Sequence, residues 1–267
     1  MVSNSVSLGK EQISRYWELL NVLVSRNLKT RYRGSLLGVY WSLLNPLIMT
    51  GLYTAIFGAT FASYYGNSII NYVLAAFTGL VVINFFSACT TQALSSVVWN
   101  GTLLNKIQLP VSIFPVSMIA ANVFQFAVGV FPLLAIMTLI NSKSIINVLA
   151  LIFPITGLIL VCTGIGFIVS ALYVFFRDLN YFYELVVFVL WISSPVFYPA
   201  AIVSPQVKAL LGLNPLSPII ESFRQISLSG AFPDFILISD AILRGIIFLV
   251  MGWICFHWWR SQFMDLL

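Results

Sequence analysis

The sequence predicts an all-α integral membrane protein. It has an N-terminal amphipathic interfacial helix, six transmembrane helices, and short re-entrant helices between spans five and six. Three observations carry this expectation. Charged residues make up 8% of the chain and hydrophobic ones 60%, whereas a soluble domain is about 25% charged. Six apolar stretches approach or exceed the roughly 20 residues a helix needs to cross hydrocarbon. Six of the thirteen Lys and Arg residues precede the first of those stretches. A soluble protein this apolar would expose large patches and aggregate, so most of the surface must face lipid.

Residues 1–34 form a cytosolic leader. Within it Ile13, Tyr16, Trp17, Leu20, Leu23, Val24 and Leu28 recur at three- and four-residue spacing, with Glu11, Arg15, Glu18 and Asn21 between them. That pattern describes an amphipathic helix in the headgroup layer; a helix packed on a partner protein would read the same way. Arg26, Lys29, Arg31 and Arg33 close the leader. Their position points to topology or anionic lipid headgroups, and the absence of an isolated basic soluble face argues against nucleic acid as a partner.

Residues 35–267 read as one membrane domain with spans at about 38–58, 72–98, 113–140, 146–173, 181–199 and 236–258. Pro46, Pro132, Pro154 and Pro195 lie inside these stretches and are expected to kink them, because each removes a backbone donor. With the N-terminus inside, nine Lys and Arg fall on the cytosolic side (Lys10, Arg15, Arg26, Lys29, Arg31, Arg33, Lys106, Arg177, Arg260) and four outside (Lys143, Lys208, Arg224, Arg244). Both termini are therefore expected in the cytosol. A short loop, 100–110, joins spans two and three. The stretch 199–235 contains Pro199, Pro205, Pro215, Pro218 and Pro233 around two apolar pieces, 206–213 and 216–228. Both are too short to cross and too apolar for a solvated loop, so they read as re-entrant or interfacial helices covered by protein or lining a wet cavity.

Catalytic constellations are missing. His257 is the one histidine, which rules out HExxH zinc sites and paired-histidine haem ligation within one chain. Cys89, Cys162 and Cys255 have no CxxC spacing and read as apolar packing residues. No GxxxxGK[ST] loop occurs, so no catalytic, metal or cofactor residue is assigned, and a transport subunit rather than an enzyme is expected. Glu184 reads as a carboxylate near a span boundary. Asn45, Asn84, Asn122 and Gln125 stand in the spans without a clear carboxylate, which weighs against proton or sodium coupling. Aromatic residues make up 15% of the chain. Tyr40, Trp41, Tyr53, Phe57, Trp191, Phe197 and Tyr198 fall on spans or their ends. Two roles are open to them: π-faces for sugar C–H groups along a wet passage, or lipid-facing packing and interfacial belts.

The opening of the membrane domain, "SRNLKTRYRGSLLGVYWSLLNPL" (25–47), resembles the permease subunits of ABC type-2 polysaccharide exporters, the group that carries O-antigen, capsule and teichoic acid. So do "NKIQLPVSIFPVS" (105–117), "FFRDLNYFYELV" (175–186), "SSPVFYPA" (193–200) and "NPLSPIIESFRQ" (214–225). The resemblance covers nearly the whole chain. It implies a homodimer around a central conduit in the bacterial inner membrane, with two copies of a separate ATPase that binds ATP and Mg. It further implies that the 100–110 loop is a coupling helix docked on the ATPase, through Gly101, Leu104, Lys106, Leu109 and Pro110. The pieces within 199–235 would form the outer mouth, with Glu221 and Arg224 at an outer gate, either paired there or meeting partners across the dimer. The expected substrate is a lipid-linked polysaccharide of O-antigen type entering from the cytosolic leaflet, its pyrophosphate linker attracted by Arg26, Lys29, Arg31 and Arg33. Export of teichoic acid, or of a drug or small lipid, is the alternative.

Overall fold

In a computed structural model, residues 2–104, 106, 109–204, 206, 212, 214–229 and 234–263 are described, and all regular structure among them is helical. The helices are α1 (Val2–Tyr32), α2 (Trp41–Phe61), α3 (Ile69–Trp99), α4 (Gly101–Leu104), α5 (Ile113–Gln125), α6 (Phe131–Ser142), α7 (Ile145–Ala150), α8 (Ile152–Phe175), α9 (Leu179–Ser193), α10 (Ser217–Leu228) and α11 (Phe235–Trp259). Five helical stretches are long and apolar enough to cross a membrane: Gly38–Tyr65, Ile69–Trp99, Ile113–Ser142, Ile145–Phe175 and Phe235–Gln262. These match the first four expected spans and the last.

The remaining stretch, 181–199, becomes a 15-residue apolar helix, α9. At about 1.5 Å per residue it is roughly 22 Å long, less than the hydrocarbon thickness of about 30 Å. Pro195 is the cause. A proline drives the residue before it out of the helical region, and Ser194 is extended at φ −82°, ψ 140°. The expected kink is thus a full stop. The other prolines behave differently. Pro46 stays inside α2, where the Thr50 hydroxyl donates to its carbonyl at 2.6 Å. Pro132 follows a single π-helical turn, Phe126–Val130, that separates α5 from α6. Pro154 sits in the first turn of α8, three residues after Leu151, where α7 gives way to α8.

The central helix is α3. Its 31 residues, about 46 Å at 1.5 Å each, are mostly buried, from Tyr72 to Val97. Around it packs the main core, with Phe77, Phe86, Leu134, Leu158, Val161, Ile219 and Phe223 all at or near zero exposure. By contrast α2 buries only Pro46, Thr50 and Gly58, and α9 buries only Tyr183. Their exposed aliphatic and aromatic faces require lipid or another chain.

The two ends of the bundle differ. At one end Leu20 and Leu23 of α1 pack with Val97, Leu104, Ile113, Phe114, Phe256 and Phe263 in a second core. The apolar set expected on one face of α1 divides: Trp17 and Ile13 are turned outward, while Tyr16, Leu20 and Leu23 pack inward. Burial pushes the Tyr16 phenol up, offset in part by a hydrogen bond with Ser112. At the other end α10 lies against the start of α3 and the end of α6, where Thr138 Oγ1 and Ser227 Oγ share a hydrogen bond of 3.0 Å. The expected short helix at 216–228 is therefore present and buried. The expected piece at 206–213 lies largely outside the described residues. Because α1 and Phe263 share one core, the two terminal regions lie at the same end.

The most extensive helix pair is α8 with α11. They touch backbone to backbone: a Cβ on Gly252 would lie 2.1 Å from the Gly164 carbonyl oxygen, and one on Gly164 2.1 Å from that of Phe248. Close approach through small residues is how helices gain dispersion contacts where lipid removes the usual hydrophobic drive. Gly252→Leu should therefore push the pair apart and lower the melting temperature of the detergent-solubilised protein, at a cost of about 1–3 kcal/mol or more. Gly51→Ala in α2, where an added Cβ meets open space, should keep the fold and gain up to about 1 kcal/mol of helix propensity. Equal melting temperatures for the two variants would rule out glycine-mediated packing of α8 on α11.

Candidate functional site

Two features stand near opposite ends of α2. The first is a polar node where α1 meets the bundle. Arg31, at the end of α1, reaches three side-chain amides at once. Its guanidinium donates to Gln92 Oε1 on α3, to Asn122 Oδ1 on α5 at 3.1 Å, and to Gln125 Oε1. Asn122 Nδ2 donates in turn to Gln92 Oε1 at 2.9 Å, which orients that acceptor. One turn earlier, Arg26 Nη2 donates to Asn100 Oδ1 at 2.8 Å, and Asn27 Nδ2 to Ser117 Oγ at 3.2 Å. The leader helix is thus tied by hydrogen bonds to the ends of α3 and α5. The amides of Asn122 and Gln125, noted from sequence as neutral groups within a span, are the acceptors for a cation that sequence reasoning had assigned to headgroups. Gln92 escaped notice, although its spacing along α3 brings it to the same level.

Behind Arg31 opens a cavity of about 520 Å³ between α1, α2, α3 and α5. Trp41, Asn45, Asn84, Ser87 and Gln125 line it beside Arg31, and Pro46, Val81, Phe85 and Phe126 supply its apolar wall. Asn84 Nδ2 is buried there with no hydrogen-bond partner among the described residues. Tyr32 lies on the rim; burial pushes its phenol up while the Arg31 guanidinium pulls it down. The four leader cations therefore divide. Arg26, though exposed, and the half-buried Arg31 bond to side-chain amides, whereas Lys29 and Arg33 lie exposed on the surface.

Next to this node runs the 100–110 loop. Gly101 and Leu104 are buried in α4, Leu109 is half-buried, and Lys106 and Pro110 are exposed. Asn105, Ile107 and Gln108 lie outside the described residues. The loop thus has a rooted base and an exposed tip.

The second feature is an aromatic cluster at the far end of α2. Phe197 stacks on Tyr53 with ring centroids 5.0 Å apart and on Phe57 at 6.0 Å. Trp191 and Tyr198 flank it at 6.2 and 5.5 Å. Five of the seven expected aromatics therefore form one group. Tyr40 and Trp41 stand apart, twelve residues before Tyr53 and about 18 Å down the helix, and both are exposed. Phe61, Tyr65 and Tyr72 extend the group, with Phe57–Phe61 at 5.8 Å and Tyr65–Tyr72 at 5.9 Å. Sequence spacing missed them because Tyr65 and Tyr72 reach the cluster across the α2–α3 turn.

Glu221 and Arg224 do pair, at 3.4 Å, but unequally: the Arg224 side chain is 5% exposed and that of Glu221 46%. Arg224 makes its shorter contacts to backbone carbonyls. Arg244 pairs with Asp240 at 3.1 Å, Glu184 is exposed and accepts from Asn180, and His257 stacks on Trp253 at 5.3 Å.

Comparison with known proteins places these features in a family. A family model described as "ABC-2 type transporter" matches residues 18–228. The O-antigen export system permease protein RfbA of Klebsiella pneumoniae is 27% identical over 260 residues, covering 97% of this chain and 98% of the relative. Its namesake from Myxococcus xanthus is 28% identical over 227 residues, covering 84% of this chain and 85% of the relative. The matched region runs from the middle of α1 to the end of α10 and so takes in both the polar node and the aromatic cluster, and the chain belongs to the ABC-2 type transporter family.

Proposed function

We propose that this chain is the transmembrane subunit of an ATP-driven exporter that moves a lipid-linked, O-antigen-like polysaccharide out of the cytosol across a bacterial inner membrane. The observation that carries this reading is the likeness, over 97% of the chain, to an O-antigen export permease. The geometry supports it. The α2 helix presents a polar cavity at one end and an aromatic cluster at the other, with most of its surface unburied between them. A second copy of this chain set against α2 and α9 would enclose a passage lined by both protomers. Aromatic faces along it would support sugar C–H groups without fixing a sequence of sugars.

In this reading α9 completes a six-span topology, its short helix extended by the segment after Pro195. The termini and the 100–110 loop face the cytosol, in line with the excess of Lys and Arg there. ATP and Mg bind to two copies of a separate ATPase, which carry the hydrolysis. The rooted base and exposed tip of the 100–110 loop suit a lever. Its tip docks on the ATPase through Lys106 and Pro110, while Gly101 and Leu104 pass the movement to α3. Arg26 and Arg31 join α1 to the same ends of α3 and α5, so leader, loop and spans move together. The exposed Lys29 and Arg33 are placed to meet the pyrophosphate linker or an anionic headgroup near the cavity mouth.

Deleting the gene in cells that make the glycan should abolish its surface display and leave lipid-linked glycan accumulating in the cytosolic leaflet. Undiminished display would remove the export reading. At unchanged membrane level, Lys106→Glu should cut export severalfold, because a charge reversal at the lever tip weakens docking; normal export would displace the docking site. The two kinds of leader cation should separate. Arg31→Gln should lower thermal stability by about 1–3 kcal/mol, since it strands buried amide acceptors. A Lys29→Gln/Arg33→Gln double variant should keep wild-type stability and lose export.

A further inference from the structure

The chain break after α9 presents a problem of hydrogen bonding. Ser194 to Tyr198 is irregular backbone packed against apolar helices, and buried carbonyls there need donors from other elements. Each of three consecutive carbonyls finds one. Arg224 Nη2, from α10, donates to the Pro195 oxygen at 2.6 Å and lies 3.3 Å from that of Val196. The same nitrogen lies 3.4 Å from the Ala75 carbonyl of α3, so it bridges the break to the central helix. Tyr72 Oη donates to the Phe197 carbonyl at 2.9 Å. Asn214 Nδ2 holds the start of the segment through Ser194 Oγ at 2.9 Å. The segment lies flat on α3: a Cβ on Gly79 would sit 3.0 Å from Val196 Cα. These bonds set where the Phe197 ring goes, which is into the stack with Tyr53 and Phe57.

Arg224 is 4% exposed, yet its Nε has no partner among the described residues. Its carboxylate neighbour, Glu221, stands one helical turn away at 3.4 Å and is half exposed. The guanidinium also lies 5.7 Å from the centre of the Tyr65 ring. The guanidinium is therefore shared: Nη1 pairs with Glu221 at 3.4 Å, while Nη2 makes its contacts to neutral carbonyls of a segment outside any helix.

We propose that Arg224 is a positioning residue that acts as a two-position latch on the passage. In the position seen here it holds the 195–197 carbonyls against α3 and keeps Phe197 inserted between α2 and Trp191, which closes that end. In the second position Nη2 withdraws from the carbonyls while the Glu221 pair on Nη1 is kept, which lets Phe197 leave the stack and opens the end. A small shift of α10 suffices, because Glu221 lies on the same helix and moves with Arg224 while the carbonyls stay behind. The inference rests on the transport reading, but its test needs neither glycan nor ATP, so the two can fail separately.

The experiment uses the full chain reconstituted in liposomes loaded with a small fluorescent anion, with release measured per mole of protein without ATP. Arg224→Ala should raise release severalfold over wild type and Arg224→Lys by less, since an ammonium can hold one carbonyl at a time. Tyr72→Phe, which deletes only a hydroxyl, should also raise release and keeps the test open if the Arg224 variants fold poorly. Thr138→Val removes a buried hydrogen bond from another part of α10 and serves as the measure of general loosening. Release at the wild-type rate from well-folded Tyr72→Phe and Arg224→Lys proteins would overturn the latch, and so would an equal rise in Thr138→Val.

Discussion

Backbone polar groups that enter hydrocarbon must be satisfied inside the protein, and the rest of this structure depends on that constraint. Long uninterrupted helices satisfy it locally, which is why the structure is helical and why α3 can be buried along most of its length. Where the chain departs from a regular helix, the bonding is either rearranged locally or completed by another element. At the π-helical turn of α5–α6 the bonding simply shifts by one residue. At the break after α9 local bonding fails, and Arg224, Tyr72 and Asn214 are brought in from three other segments. Irregular backbone at that depth therefore ties together α3, α9, α10 and the loop before α10.

The same low-polarity setting explains how the chain uses its few cations. A buried ion pair gains strong attraction but pays a large desolvation penalty. Neutral amides and carbonyls disperse a guanidinium's charge over several acceptors without burying a second charge. Both Arg31 and Arg224 are held this way, one at each end of the bundle. Such contacts are directional and charge-assisted. A guanidinium held by them can hold two helices together and still be displaced by an anion or by a modest helix shift.

Helix packing divides the molecule into a firm and a less covered part. α3, α8 and α11 meet through glycines and a core of nearly unexposed side chains. α2 and α9 lie outside that core with most of their surface uncovered, and it is they that carry the aromatic cluster. Elements with few buried contacts are the ones that open at low cost. The polar node, by contrast, ties α1 to α3 and α5.

Much of this was legible in the chain itself. Five spans, the amphipathic leader and the helix at 216–228 follow from hydrophobic period and run length, because lipid imposes those patterns residue by residue. The Asp240–Arg244 pair and the stop near Pro195 are likewise local, although the sequence read Pro195 as a kink. The tertiary structure alone decided the partners. Arg31 lies 61 residues from Gln92 and Arg224 lies 149 from Ala75, and no local pattern encodes such a meeting. It also bound Arg26 and Arg31 to amides and left Lys29 and Arg33 on the surface, and gathered five scattered aromatics into one group. The physical reason is that membrane burial is a property of each segment, whereas hydrogen-bond satisfaction at a chain break is a property of whichever segments happen to be packed beside it.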